Sequence, residues 1–100
     1  MITSTIDIQK TSRDWWVRTT IQVPSWPHPT VNNEGFKTLK SAIWHVVLDA
    51  VDHDEPIASL TVNGKIMPPG EVLTRARDAL RGTGLEYRLD DLHKAFEKVD

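Results

Sequence analysis

One hundred residues make one domain and leave no room for two independent cores. The chain has no cysteine, which excludes disulfides, thiol nucleophiles and thiolate metal sites. Twelve Lys and Arg face fourteen Asp and Glu, a formal charge of −2, and neither half carries the basic excess of a protein that grips many phosphates.

The first twelve residues include Asp7 and Lys10 and no apolar run, so they do not read as a signal peptide. No window nears the ~18 apolar residues of a membrane span. The expectation is a soluble, cytoplasmic protein. Four tryptophans are many for this length, and Trp is favoured at buried interface anchors.

Ile2, Ser4, Ile6 and Ile8 alternate with Thr3, Thr5, Asp7 and Gln9, the period of a half-buried strand. Thr11-Ser12-Arg13-Asp14 reads as a turn. Trp15 to Val23 follows as a second strand, with Trp15, Val17, Thr19, Ile21 and Val23 on one face and Trp16, Arg18, Thr20 and Gln22 on the other. The two strands suit an antiparallel hairpin with one face on a core. Pro24, Pro27 and Pro29 then make an extended surface or edge segment. A short third strand fits around Thr30 to Asn32, and Asn32-Asn33-Glu34-Gly35 carries a turn signal.

Leu39, Ala42, Ile43, Val46, Val47, Ala50 and Val51 recur at helical steps and predict a long helix, with Thr38 as its N-cap. Asp52-His53-Asp54-Glu55 and Pro56 end it. Ile57 to Met67 is strand-like, with Leu60, Val62 and Ile66 on one face; Asn63-Gly64 reads either as mid-strand or as a tight hairpin turn. Pro68-Pro69-Gly70 opens a helix over Glu71 to Arg81, and Gly82-Thr83-Gly84 stops it. Leu89, Leu92, Ala95, Phe96 and Val99 mark a third helix. The expected fold is one α+β domain in the order ββ(β)αβαα. A small antiparallel sheet of three to four strands is packed by one long helix over residues 1–66, with two C-terminal helices over residues 67–100.

Chemistry-bearing clusters are sparse. Asp52, His53, Asp54 and Glu55 have metal-ligand types, but neighbours in a loop diverge and no second His follows at helical spacing. They read as a solvated acidic helix end, with no metal expected. His28, His45 and His93 sit in no triad pattern, and Gly82-Thr83-Gly84 lacks the Lys and helix start of a phosphate loop. No catalytic residue and no cofactor are expected, which favours a non-enzymatic binding protein.

Trp44 and Leu48, four apart, widen the apolar arc of the long helix beyond what one sheet needs. They read either as a second packing layer, made by the C-terminal helices, or as a partner or dimer contact. Trp15 and Trp16, being adjacent in a strand, point to opposite faces, so one is free to meet a partner. Trp26, framed by Pro24 and Pro27, either presents an exposed ring at low entropic cost or folds back over the sheet edge. Thr61, Asn63 and Lys65 before two helices imitate a ribbon–helix–helix DNA-binding module, with Arg75, Arg77, Arg81 and Arg88 as phosphate contacts. Against this, the same strand is needed by the core sheet, and residues 57–100 have no net charge.

The run Val23-Pro24-Ser25-Trp26-Pro27, followed by Gly35-Phe36-Lys37-Thr38-Leu39-Lys40-Ser41-Ala42, resembles the signature of HicB-like antitoxins. In that family a strand ends in V-P-x-x-P and G-x-T-x-x-x-A opens a helix on a three-stranded sheet. The resemblance covers about residues 1–66 and implies a partial RNase H-like fold, βββαβ. Asp54-Glu55-Pro56-Ile57 matches the family's acidic-Pro segment. The chain departs from the pattern in an extra residue between Gly35 and Thr38, in His28 and Pro29 where Gly and Cys are usual, and in the missing pair of acids after the cap. The resemblance implies a protein that covers the active face of a small ribonuclease toxin by stoichiometric binding. Trp16, Trp26, Trp44 and Leu48 are the expected contacts, with Asp52, Asp54 and Glu55 meeting a basic toxin surface. The alternatives are a phage- or mobile-element-encoded inhibitor of a host protein and a small DNA-binding repressor; a homodimer is compatible with each.

Overall fold

The computed structural model describes residues 2–96. The chain forms β1 (Thr3–Lys10), β2 (Trp15–Gln22), β3 (Thr30–Phe36), α1 (Leu39–Asp52), β4 (Ile57–Val62), β5 (Lys65–Ile66), α2 (Pro69–Leu80) and a 3-10 helix (Glu86–Phe96). The α+β class holds, and the sheet is larger and more mixed than expected: five strands in the order β3-β2-β1-β4-β5. β1 pairs antiparallel with β2 over its whole length and parallel with β4. An exclusively antiparallel sheet is therefore corrected. The reason is the α1 crossover, which returns the chain beside β1 running in the same direction.

Alternation in β1 and β2 does what the pattern predicts. Ile6, Ile8 and Val17 are buried with Leu60 of β4 beneath α1, whose Ala42, Ile43, Val46, Val47 and Ala50 meet them in one cluster. A register shift between Ser4 and Thr5 lets Ile57 and Leu60, three apart, share the inner face, because one residue of β4 bulges.

β3 is a seven-residue strand rather than a three-residue one, and the expected turn at Asn32–Gly35 is corrected. Pairing with β2 from Trp15↔Phe36 to Ile21↔Thr30 overrides the local turn preference of Asn, Glu and Gly. Asn63 and Gly64 form the tight turn, at φ 52° and 83°, the positive values a primed hairpin turn requires. The Asn63 carboxamide oxygen accepts from the Lys10 amide at 2.9 Å, and the Asn63 amide donates to the Ile8 carbonyl at 2.8 Å. The turn moves Ile66 opposite Thr61 on the outer face, 76 % exposed, while Met67 goes inward at 8 %. The expectation that Ile66 shares the Leu60 face is corrected.

α1 begins where the cap predicts: Thr38 Oγ1 accepts from the Ser41 amide at 3.0 Å. Two elements then form the second layer over α1. Val72, Ala76 and Leu80 of α2 and Leu92 and Ala95 of the 3-10 helix are buried in the same cluster as the sheet residues. Leu89, Leu92 and Ala95, three apart, stack along one side of a helix with three residues per turn. Val99, expected to continue this stripe, lies outside the described residues.

Candidate functional site

The pairing scheme brings two distant segments to one end of the sheet. β2 ends where β1 begins, at Thr3↔Gln22, and β4 begins beside Ser4. The β2–β3 loop with Trp26 and the α1–β4 turn with Asp54 and Glu55 therefore share that end. Ser4 pins the turn: its amide donates to the Pro56 carbonyl at 3.0 Å, and its hydroxyl lies 3.4 Å from the Glu55 and Pro56 carbonyls. In the loop, the Trp26 amide donates to the Val23 carbonyl at 2.9 Å. Trp26 is 52 % exposed, so its ring is not folded into the core.

Between α1 and the inner face of β2 and β3 runs a cleft of about 580 Å³. Ile6, Val17 and Ile21 contribute apolar side chains, while Glu34, Asp49 and Glu55 contribute carboxylates, and among the described residues no Lys or Arg lines it. His45 Nε2 sits 3.6 Å from Glu34 and 3.3 Å from Asp49, spanning the cleft from helix to strand. Its ring packs against Phe36 at 4.9 Å between centroids. His53 Nδ1 lies 2.9 Å from the Asp49 carbonyl. Sequence reading missed Glu34, His45 and Asp49 as a group; Glu34 lay in the supposed turn, and its strand position is what carries it to the inner face opposite α1.

The other expected contacts separate. Trp16 lies on the outer face at the opposite end of β2, 45 % exposed, paired with Gly35. Trp15, on the inner face, packs against the core with Lys10 Nζ 5.6 Å from its ring centroid. Leu48 as a partner contact is corrected: it is 7 % exposed and belongs to the buried cluster under the second layer. Trp44 is half-buried and packs against that cluster. Asp52 turns away from Asp54 and Glu55 and receives the Arg88 guanidinium at 2.5 Å. That bond, with Asp91 nearby, holds Arg88 above its ordinary pKa. Asp54, at φ 53°, occupies the left-handed position just past α1 and is exposed.

Arginines offered to phosphate are mostly engaged. Arg75 pairs with Glu71 at 3.2 Å, Arg81 with Asp78 at 3.6 Å and Arg88 with Asp52. Thr61, expected to face a ligand beside Asn63 and Lys65, donates instead to Asp7 at 2.5 Å. Asn63 stands in the turn, so the three make no single row. Among the described residues no group of three or more His, Asp or Glu is placed to hold a metal ion, and no helix is long and apolar enough to cross a membrane. No family model, curated protein or solved structure matches the chain.

Proposed function

We propose that the protein acts by stoichiometric binding of a small basic protein, in the manner of a HicB-like antitoxin neutralising a ribonuclease toxin, and has no catalytic role. One observation carries this reading. An exposed, proline-framed Trp26 shares one end of the sheet with the acidic Asp54–Glu55 turn, beside a cleft that the described residues line with three carboxylates and no Lys or Arg. A proline-framed aromatic anchor beside a cluster of carboxylates suits a partner with basic side chains, which charge complementarity steers and orients. The V-P-x-x-P strand end and the βββαβ order over residues 1–66 support the toxin-neutralising form of the reading.

The test is capture from the native cell with this protein as bait. A small basic protein retained at one-to-one stoichiometry is the expected result. Retention of a non-basic host protein favours a mobile-element inhibitor. Retention of the gene's own promoter DNA, with salt-dependent affinity, favours a repressor.

A further inference from the structure

We infer that two copies of this chain associate through β3, pairing antiparallel about a two-fold axis at Asn33 to make one continuous sheet. β3 ends the sheet on its side, and six of its seven residues are exposed. Natural edge strands are guarded by brevity, lysines, prolines or bulges. The other edge follows that rule, since β5 has two residues and one of them is Lys65. β3 is longer and more open: Thr30–Phe36 holds no Lys, Arg or Pro and no register shift against β2, and its one charge is the inner-face Glu34.

The residues on β3 fit a second β3 in one register. Pairing all seven places Thr30 opposite Phe36, Val31 opposite Gly35, Asn32 opposite Glu34, and Asn33 opposite itself. Trp16 pairs with Gly35 on the outer face, and its ring covers that glycine so closely that a Cβ there would lie 3.0 Å from it. The indole thus reaches across Gly35 toward the free edge, where the second copy's Val31 arrives. Two of the large exposed hydrophobics, Trp16 at 45 % and Val31 at 49 %, are covered together, twice by symmetry. On the inner face the Asn32 carboxamide of one copy meets the Glu34 carboxylate of the other, donor to acceptor. Sliding by two residues one way sets Glu34 against Glu34. Sliding the other way sets Gly35 against Pro29, which has no amide to donate. The pairing leaves Trp26 and Asp54 of each copy outside the paired strands, while Asn32, Asn33 and Glu34 are shared with the lining of the cleft.

The absence of cysteine makes the test direct. Residues opposite each other in an antiparallel pair have Cα atoms about 4.5–5.5 Å apart, within disulfide reach. Asn33→Cys is expected to cross-link to a dimer under mild oxidation at least tenfold faster than Gln22→Cys, an exposed control on β2. The unmodified chain is expected to sediment at twice its 11.3 kDa mass. Val31→Glu, which sets a carboxylate over the indole, is expected to weaken association at least tenfold with an unchanged circular dichroism spectrum. An unmodified chain that is monomeric at every concentration, together with an Asn33→Cys variant that cross-links no faster than Gln22→Cys, overturns the proposal. So does a dimer that Val31→Glu leaves intact, or a β3 edge that pairs only with a different protein.

Discussion

Arg88 and Asp52 are 36 residues apart in sequence and 2.5 Å apart in space, and their bond fastens the 3-10 helix to the end of α1. Arg88 is the more enclosed of the two, its side chain 20 % exposed against 51 % for Asp52. A charge-assisted bond of this kind is worth about 1 kcal/mol once solvent screening is allowed for. A double-mutant cycle on Arg88→Ala and Asp52→Ala in urea denaturation should return a coupling near that value, shrinking as salt rises. Zero coupling at low salt contradicts the tie.

Leu48 gives the sharpest separation of core from contact. Leu48→Ala removes side-chain volume from a buried site and should cost about 2–5 kcal/mol in chemical denaturation. A cost under about 0.5 kcal/mol, the range of exposed surface changes, would return Leu48 to the surface.

The Asn63-Gly64 turn should respond to residue type in a fixed order. Asn63→Ala places a residue with a Cβ and no carboxamide at φ 52° and frees the Lys10 amide, costing about 1–2 kcal/mol. Asn63→Gly keeps the conformation and should cost less. Equal costs, measured by thermal unfolding, contradict this role for the turn.

Asp54 stands in the same left-handed region without a glycine's freedom, at φ 53°. Asp54→Gly should leave stability unchanged or raise it by up to about 1 kcal/mol in the same unfolding measurement, while removing one charge from the acidic end. A loss of more than that contradicts the cap geometry.

Much of the local structure was legible because the period of the sequence is the period of the element. Ile6 and Ile8 in β1, and Thr38 and the Ala42–Val51 stripe of α1, follow from spacing and caps, and α2 begins at Pro69, two residues before the expected Glu71. The opposite facing of Trp15 and Trp16 needed only a strand's alternation. What was not legible depends on partners distant in sequence. Asn32-Asn33-Glu34-Gly35 is a turn by local preference and a strand because β2 pairs with it. Alternation in Ile57–Val62 gives no direction, so the parallel pairing with β1 was hidden. Leu48 was left open until Leu92 and Ala95 closed over α1. The acidic end was half visible: Asp54 and Glu55 stood out as a cluster, but Asp52 was grouped with them although Arg88 holds it. Glu34 and Asp49 joined the cleft only through the fold.

If the end of the sheet bearing Trp26, Asp54 and Glu55 is the contact surface, the decisive quantity is the captured partner's affinity. It is to be measured for the unmodified chain, for Trp26→Ala and for the double variant Asp54→Lys with Glu55→Lys. Trp26→Ala is expected to weaken binding by about 2 kcal/mol or more, roughly thirtyfold, with an unchanged unfolding midpoint. The charge-reversed pair is expected to associate more slowly, with a changed salt dependence. Affinity indistinguishable from the unmodified chain in both variants would place the contact surface elsewhere.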